Sequence, residues 1–297
     1  MLIWVVTDSC RDEVEEMVAS VQGLVENVEV ELMDTCEISF ELDGNNEFRL
    51  WKEGREISVL PDVVWPIMME EHGTVEPFTR ELESMGVYSF ASLNAKNDAK
   101  DKLRTYQRIG QIEGIPIIRT IAFRGDVSED FLIDRFSLPM VVKPEYGYGG
   151  AGVELLHNRE ELTAYLAEAK KSEEYYLAEE FISSSKGRDL RVVCLYGKVL
   201  FGALRHNDDP NEFRSNIKTG GSGELYPMTQ EQTELAEKVA MGSGLDFCGL
   251  DFLFGPDGLI LDEVNSAPGF GHNFNMFAPM VFDAIRKHLK DMGKTID

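Results

Sequence analysis

Asp251-Phe252-Leu253-Phe254, Gly255-Pro256-Asp257-Gly258 and Leu261-Asp262-Glu263-Val264-Asn265 form the stretch on which the reading of this chain turns. Two apolar runs flank a Gly-Pro-Asp-Gly turn, which predicts a β-hairpin. Residues two apart on a strand face the same side, so Glu263 and Asn265 point together. The hairpin brings Asp251 beside them. Carboxylate, carboxylate and amide oxygen make a hard ligand set suited to magnesium, which usually shares its coordination sphere with substrate phosphates. A solvated surface turn rich in acids is the competing reading, and the rest of the chain decides between them.

At 297 residues and 43% hydrophobic content, the chain suffices for one large domain or two to three small ones. Met1-Leu2-Ile3-Trp4-Val5-Val6 is too short for a secretory apolar region and lacks a basic flank, so it reads as a first strand. No apolar run reaches membrane-spanning length, and no membrane partner is expected. The four cysteines, Cys10, Cys36, Cys194 and Cys248, contain no Cys-x-x-Cys pair and read as reduced thiols of a cytoplasmic protein. The net charge of −24 argues against nucleic-acid binding, which needs basic patches. It reflects either solubility or a preference for a cationic substrate, and net charge speaks first to solubility.

Along the chain, residues 1–94 read as a small α/β unit: strand Leu2 to Thr7, helix Asp12 to Gln22, strand Val28 to Met33, hairpins around Asp43-Gly44-Asn45-Asn46 and Lys52-Glu53-Gly54, a buried strand at Pro61 to Pro66, and helix Val75 to Met85. A charged helix is expected over Ala95 to Gly114, and strands at Ile117 to Phe123, Pro139 to Pro144 and Tyr175 to Ile182. Further helices are expected at Asp126 to Arg135 and Glu160 to Lys171. Leu190 to Leu204 reads as a hairpin, Thr229 to Met241 as a helix capped by Thr229 and Gln232, and Ala278 to Met292 as a closing helix. Changes of pattern near Asn94 and near Ser183-Ser184-Ser185-Lys186-Gly187 divide the chain into 1–94, 95–183 and 184–297.

Three further constellations carry chemistry. In Lys143-Pro144-Glu145-Tyr146-Gly147-Tyr148-Gly149-Gly150-Ala151-Gly152-Val153, a lysine ends a buried strand and a loop with four glycines leads to another. Glycines let backbone N–H groups approach a phosphate, and the lysine adds a point charge. The loop is neither a Walker motif nor a GxGxxG before a helix; between two strands it reads as a flap over a triphosphate, against a plain glycine-rich hairpin. Ala178-Glu179-Glu180-Phe181-Ile182 ends a strand that can offer backbone hydrogen bonds to an adenine edge, and Asp189 follows, able to hold a ribose hydroxyl, with Arg191 after it. Arg205, Phe213-Arg214-Ser215-Asn216 and Lys218-Thr219-Gly220-Gly221 then place cations upstream of the carboxylate hairpin, where they would stabilise a transferring phosphoryl group. Ordinary surface pairing of arginines with acids is the alternative in so acidic a chain.

The order of these pieces resembles the ATP-grasp superfamily, and its RimK-like branch most closely. The resemblance runs from about residue 90 to 270 through Asp101-Lys102-Leu103-Arg104-Thr105, Gly114-Ile115-Pro116, Val142-Lys143-Pro144, Glu180-Phe181-Ile182, Gly187-Arg188-Asp189-Leu190-Arg191, Phe213-Arg214-Ser215-Asn216, Gly220-Gly221, Gly249-Leu250-Asp251 and Glu263-Val264-Asn265-Ser266-Ala267-Pro268-Gly269. It implies an α/β (α+β) ATP-grasp fold with 1–94 as a preceding α/β domain, 95–183 as a central lid subdomain and 184–297 as the C-terminal subdomain. ATP would lie between the last two.

The resemblance implies an ATP-dependent carboxylate–amine ligase working through an acyl phosphate, with a carboxylate and an amine (amino acid or peptide) as substrates. Lys102, Lys143 and the loop glycines Gly147, Gly149 and Gly150 would meet the phosphates. Glu180, Phe181 and Ile182 would line the adenine pocket, and Asp189 would hold the ribose. Ser215 would sit at the phosphates with Arg214 and Asn216, which with Arg205 would act at the reacting centre. Asp251, Glu263 and Asn265 would hold two magnesium ions, with manganese as a substitute. RimK-like enzymes often associate, so a homo-oligomer is open. The chain departs from the family at His206, at the acidic loop Asn207-Asp208-Asp209-Pro210-Asn211-Glu212, at Ile67-Met68-Met69, and at Phe270-Gly271-His272-Asn273-Phe274-Asn275. These are positions where family members contact substrates. With the −24 charge, the departures lead us to expect a neutral or cationic amine rather than glutamate. A regulatory ATP-binding module and an ATP-dependent kinase on the same fold are the alternative functions.

Overall fold

The computed structural model describes residues 1–8, 11–42, 44, 48–67, 73–147, 149–216, 220–268 and 274–294. Cys10, the turn at Asn45-Asn46, Met68-Met69, Tyr148, Lys218-Thr219 and Phe270–Asn273, all singled out above, lie outside the described residues. The chain forms two compact units, Met1–Asn94 with Ala267–Asp297, and Ala95–Ser266.

In the first unit, β1 (Leu2–Thr7) runs parallel to β2 (Glu29–Asp34) on one side and β6 (Val63–Pro66) on the other. β7 (Tyr88–Ser89) extends the sheet beyond β6. Parallel strands are covered on both faces, which is why Ile3, Trp4, Val5 and Val6 are all buried without alternation. α1 (Arg11–Val21) and α2 (Val75–Ser84) belong to this unit, and Phe78 of α2 stacks on Trp4 at 6.3 Å. A small antiparallel sheet of β3 (Ile38–Leu42), β4 (Phe48–Lys52) and β5 (Arg55–Glu56) adds Leu50 to the same core. The closing helix, Phe274–Asp291, packs beside α1, and Arg286 donates to the Glu26 carbonyl at 2.8 Å. The residues from Ala267 onward group with this unit, and the apolar residues Ala278, Val281, Phe282, Ile285 and Leu289 of the helix are buried.

The second unit opens with α3 (Leu93–Lys100) and α4 (Lys102–Ile109), where one helix was expected. The break falls at Asp101, whose side chain accepts the Arg104 N–H at 2.8 Å and caps a new helix. A four-stranded antiparallel sheet follows, ordered β10-β9-β11-β8, from β8 (Thr120–Phe123), β9 (Met140–Pro144), β10 (Glu154–Leu156) and β11 (Tyr176–Glu180). α5 (Glu129–Phe136) and α6 (Arg159–Ala169) pack Leu132 and Leu162 onto one face, against Met140, Val142 and Ala178. Alternation then sends Lys143, Leu177 and Glu179 to the other face.

A five-stranded antiparallel sheet completes the unit, ordered β14-β13-β12-β15-β16. Its strands are β12 (Arg188–Leu195), β13 (Lys198–His206), β14 (Ser222–Tyr226), β15 (Phe247–Gly255) and β16 (Gly258–Asn265). α7 (Gln230–Ser243) packs across it, leaving α8 as the closing helix already described. β14 was not anticipated; it is an exposed edge strand without an apolar alternation to announce it.

The hairpin β15–β16 pairs Gly255 with Gly258, Phe254 with Leu259 and Phe252 with Leu261, then shifts register and pairs Asp251 with Glu263. Without that shift Asp251 would face Asp262, and Glu263 would turn into the core. The bulge leaves Asp262 as the extra residue. Leu261 and Val264 both stay buried, while Asp262 and Glu263 both reach the opposite face.

Two substitutions separate peripheral from core contributions in this unit. Thr229 accepts from the Gln232 N–H while Gln232 accepts from the Thr229 N–H, a reciprocal cap on exposed ground. Thr229→Ala is expected to lower the unfolding free energy by about 1 kcal/mol in urea denaturation. Phe252→Ala, at a fully buried site, is expected to cost roughly 3–5 kcal/mol. Equal losses would contradict this division.

Candidate active site

The two sheets of the second unit enclose a cleft. Lys102, Lys143, Gly147, Gly149, Gly150, Glu180, Phe181, Ile182, Asp189, Arg205, Arg214, Ser215, Asn216, Asp251 and Glu263 all line it. Asn265, the remaining residue of the expected set, stands one step behind the wall and donates its amide nitrogen to Asp251 at 3.3 Å. Glu179, Asp262 and Arg188 are also in the lining.

At the roof, Lys143 lies between Glu179 at 2.8 Å and Asp262 at 2.9 Å, with the Tyr106 hydroxyl at 3.2 Å. Tyr106 donates to the Asp262 carbonyl at 2.6 Å or to Glu179 Oε1 at 3.1 Å, and Thr120 also donates to Glu179. Burial alone would discharge Lys143; Asp262 and Glu179 outweigh it and hold its ammonium form well above the usual range. Burial drives Glu179 the other way, up from the carboxylate range. Glu179, Asp262 and Tyr106 had been given no role from the sequence. Alternation was the available signal: Glu179 lies on the Lys143 face of β11, two residues from its direct cross-strand partner Leu177.

Lys102 is the link between loop and acids. Its ammonium donates to the Gly147 carbonyl at 3.0 Å and the Glu145 carbonyl at 3.4 Å, and stands 3.7 Å from Glu263. Opposite, Arg214 donates to the Gly150 carbonyl at 2.9 Å. Gly150 has φ +81°, and a Cβ there would lie 3.0 Å from Asn216 Oδ1 and 3.2 Å from Arg214 Cδ, so only glycine permits this approach.

On the floor, Asp251 is nearly inaccessible and grips two guanidinium groups. Arg191 binds it in fork geometry, with Nη2 at 2.7 Å from Oδ2, and Arg205 Nη2 stands at 2.9 Å. Burial would raise the Asp251 carboxyl, but the charges of Arg191 and Arg205 reverse that and hold it below the usual range. Glu263 is shifted upward, chiefly by burial and then by the charges of Asp251 and Asp262, with Lys102 opposing.

Asp189 lines the cleft, and both its oxygens accept from Arg205, Oδ1 from Nε at 2.7 Å. His206 follows Arg205 on β13 and therefore faces away from the cleft, where its Nε2 meets Ser222 at 3.1 Å; it is no substitute for a substrate-facing cation.

Among the described residues no three acid, histidine or cysteine side chains gather as a preformed metal cluster. The donor set nevertheless suits a hard cation. Asp251 and Glu263 face each other across the hairpin, and the Asn265 bond to Asp251 uses its nitrogen and leaves the amide oxygen as a ligand. Glu263, pushed toward protonation by burial and then by its acidic neighbours, is the group a divalent ion would restore to the charged form.

Two antiparallel sheets closed over a cleft with lysines at the roof and paired carboxylates at the floor define the ATP-grasp class of fold. Solved structures agree: the ATP-grasp ligase PsnB complexed with minimal precursor, Mg and ADP has a TM-score of 0.68 at 16% identity, covering 96% of each chain. The D-alanine–D-alanine ligase from Bacillus anthracis has 0.68 at 17% identity, covering 97% of this chain and 96% of that one.

The RimK-like ATP-grasp domain matches residues 99–278, and the chain belongs to that family. It is an ATP-dependent carboxylate–amine ligase. A curated relative in Vibrio parahaemolyticus serotype O3:K6, a probable alpha-L-glutamate ligase, is 29% identical over 271 residues, 88% of each chain. Its namesake in Maridesulfovibrio salexigens is 34% identical over 191 residues, 64% of this chain and 63% of that protein.

At the root of the glycine-rich loop, burial and then the charge and hydrogen bond of Asp101 push the Glu145 carboxyl up to about 7, against Arg104 and Lys102. A raised acid binds its proton more tightly in the folded state, so the stability it contributes is full below the usual 4.5 and lost as pH rises toward 7. Glu145→Gln, which keeps a hydrogen-bond donor, is expected to remove this loss. Urea denaturation of both proteins between pH 4.5 and 8 checks it, and an unchanged difference across the range refutes it.

Proposed function

We propose that this chain joins an amino acid to a carboxylate on a peptide, protein or small molecule, activating that carboxylate as an acyl phosphate with ATP. The observation that carries the reading is the convergence of Lys102, Lys143, the glycine-rich loop, Arg205, Arg214, Asn216 and the acid pair Asp251–Glu263 on one cleft. Phe181 and Ile182 at the end of β11 offer an apolar berth for adenine, with backbone groups of the strand end at its edge. Lys102 and Lys143 would hold phosphate oxygens, and the loop from Gly147 to Gly152 would close over them and keep water from the acyl phosphate. Arg205 and Arg214 would stabilise charge on the transferring phosphoryl group and then on the oxyanion formed when the amine attacks. Phosphate leaves as the amide forms, so the chemistry asks for no nucleophile from the protein.

Asp251, Glu263 and Asn265 would hold magnesium, which when bound would neutralise phosphate charge and polarise the reacting phosphoryl oxygens. Manganese is expected to substitute. Glu263→Gln and Asn265→Ala test this assignment. Each is expected to reduce magnesium-dependent ATP turnover by about a hundredfold or more, the range in which one preorganised electrostatic contact acts. Full turnover in either variant would refute the site. Hydroxylamine trapping of an acyl phosphate separates the ligase from a kinase, which would release a stable phosphorylated product without an amine, and from a regulatory module, which would bind ATP without consuming it.

The amine class is a separate proposal. Among the described residues lining the cleft, Lys102, Lys143, Arg205 and Arg214 each already face a carboxylate, and Arg188 is held by the Ser184 carbonyl. With its cations already engaged in this way, the cleft supports a neutral or cationic amine. The curated relatives are named for alpha-L-glutamate, so glutamate is the contrasting case. Turnover measured over a panel of acidic, neutral and basic amino acids is expected to rank glutamate low; a clear preference for glutamate overturns the amine proposal and leaves the ligase reading standing.

A further inference from the structure

The acidic loop before Phe213-Arg214-Ser215-Asn216 differs from the pattern of the family at a place where substrate contact was expected. Its last acid instead turns inward along the chain. Glu212 Oε1 accepts from the Arg214 backbone N–H and from Arg214 Nε, both at 2.9 Å, and Oε2 accepts from Nη2 at 2.8 Å. This is a two-pronged grip on one edge of the guanidinium, the geometry with the highest orientational specificity. The opposite edge is thereby aimed at the glycine-rich loop, where Nη1 meets the Gly150 carbonyl at 2.9 Å.

The grip is itself anchored. The Glu212 N–H donates to Asp209 O at 3.0 Å, Lys186 donates to Pro210 O at 2.8 Å, and the Gly187 N–H donates to Phe213 O at 2.8 Å. Asn207 N–H in turn donates to the Gly187 carbonyl at 2.8 Å, so both ends of the loop are tied to one glycine. Gly187 has φ +67°, and a Cβ there would lie 3.2 Å from the Asn207 carbonyl. This bracing gives Arg214 a fixed mount.

We propose that Glu212 is a positioning residue that holds Arg214 as a latch for the glycine-rich loop, setting how readily that loop closes over the nucleotide. The nucleotide part rests on the ATP reading above; the latch itself does not. A long guanidinium side chain free to rotate would lose its contact with Gly150 much of the time. Fixing one edge leaves the other preorganised, so closure need not order Arg214 again.

Hydrogen exchange in the nucleotide-free protein reads the latch directly. In Glu212→Ala and Glu212→Gln, the amides of residues 149–152 are expected to exchange about tenfold faster than in the wild type, the weight of one hydrogen bond to a charged group. The KM for ATP is expected to rise by about as much and kcat to fall with it, since Arg214 also acts at the transferring phosphoryl group. Glu212→Asp, which retains the charge, should restore part of the protection. A double-mutant cycle of Glu212→Gln with Arg214→Gln should show that loop protection is lost once rather than twice. Unchanged exchange in Glu212→Ala, or additive losses in the cycle, overturns the proposal. Faster exchange in a protein whose wild type proves unable to bind ATP would sustain the latch and refute the ligase reading alone.

Discussion

The single displaced residue in the β15–β16 hairpin is the constraint on which the rest of the site depends. A regular hairpin closed by Gly255 and Gly258 would oppose Asp251 to Asp262 and bury Glu263 against Phe252. The bulge at Asp262 places three carboxylates on the cleft face while Leu261 and Val264 both remain in the core. Each acid then reaches a different cation: Asp262 meets Lys143 from the four-stranded sheet, Glu263 meets Lys102 from α4, and Asp251 meets Arg205 from β13, two strands across its own sheet. One extra residue in one strand thus ties together every wall of the cleft.

These pairings also define what a ligand must do. Every described cation of the cleft is satisfied by a carboxylate or a carbonyl in the structure, so an incoming triphosphate replaces existing partners rather than filling a vacuum. Such an exchange is nearly balanced in charge if a divalent ion arrives with the phosphates and takes over Asp251 and Glu263. Low local dielectric makes each of these contacts strong, and makes a half-exchanged state costly. If the cleft takes metal and nucleotide as proposed, that cost would couple their binding to each other and to the loop.

The bulge was legible in part. Leu261-Asp262-Glu263-Val264 sets two acids between two apolar residues, which breaks the period-two pattern of a strand buried on one face, and the strong apolar flanks still fix it as a strand. The cleft residues were legible because lysine after a buried strand, a run of glycines, and acids on a hairpin each have few other uses in combination. What escaped notice was set by contacts distant in sequence. Nothing local distinguishes Glu179 from Glu180 until β9 is laid beside β11, and nothing marks Asp189 as the partner of Arg205 until β12 pairs with β13. Asp101 was passed over as one more residue of a charged helix, although an aspartate before Lys102-Leu103-Arg104 is a fair helix start. The exposed edge strand β14 and the return of the chain to the first unit depend on what packs where, which composition does not encode.

The distribution of buried charge argues for function over stability. Among the described residues, the buried polar groups of the first unit are threonines only: Thr7, Thr35 and Thr79. Among the described residues, every buried ionisable side chain, from Lys96 and Asp101 through Lys143, Glu179 and Asp189 to Arg205 and Asp251, belongs to Ala95–Ser266. Buried ion pairs seldom repay their desolvation relative to apolar residues of the same volume, and the first unit shows that this chain can build an apolar core without them. A unit that keeps so many charges out of water holds a preorganised field for a ligand that carries charge of its own. The −24 net charge of the whole chain is mostly a property of its exterior. Inside the cleft, cations and carboxylates stand nearly in balance, and it is that local balance, rather than the sum over the sequence, that a phosphate encounters.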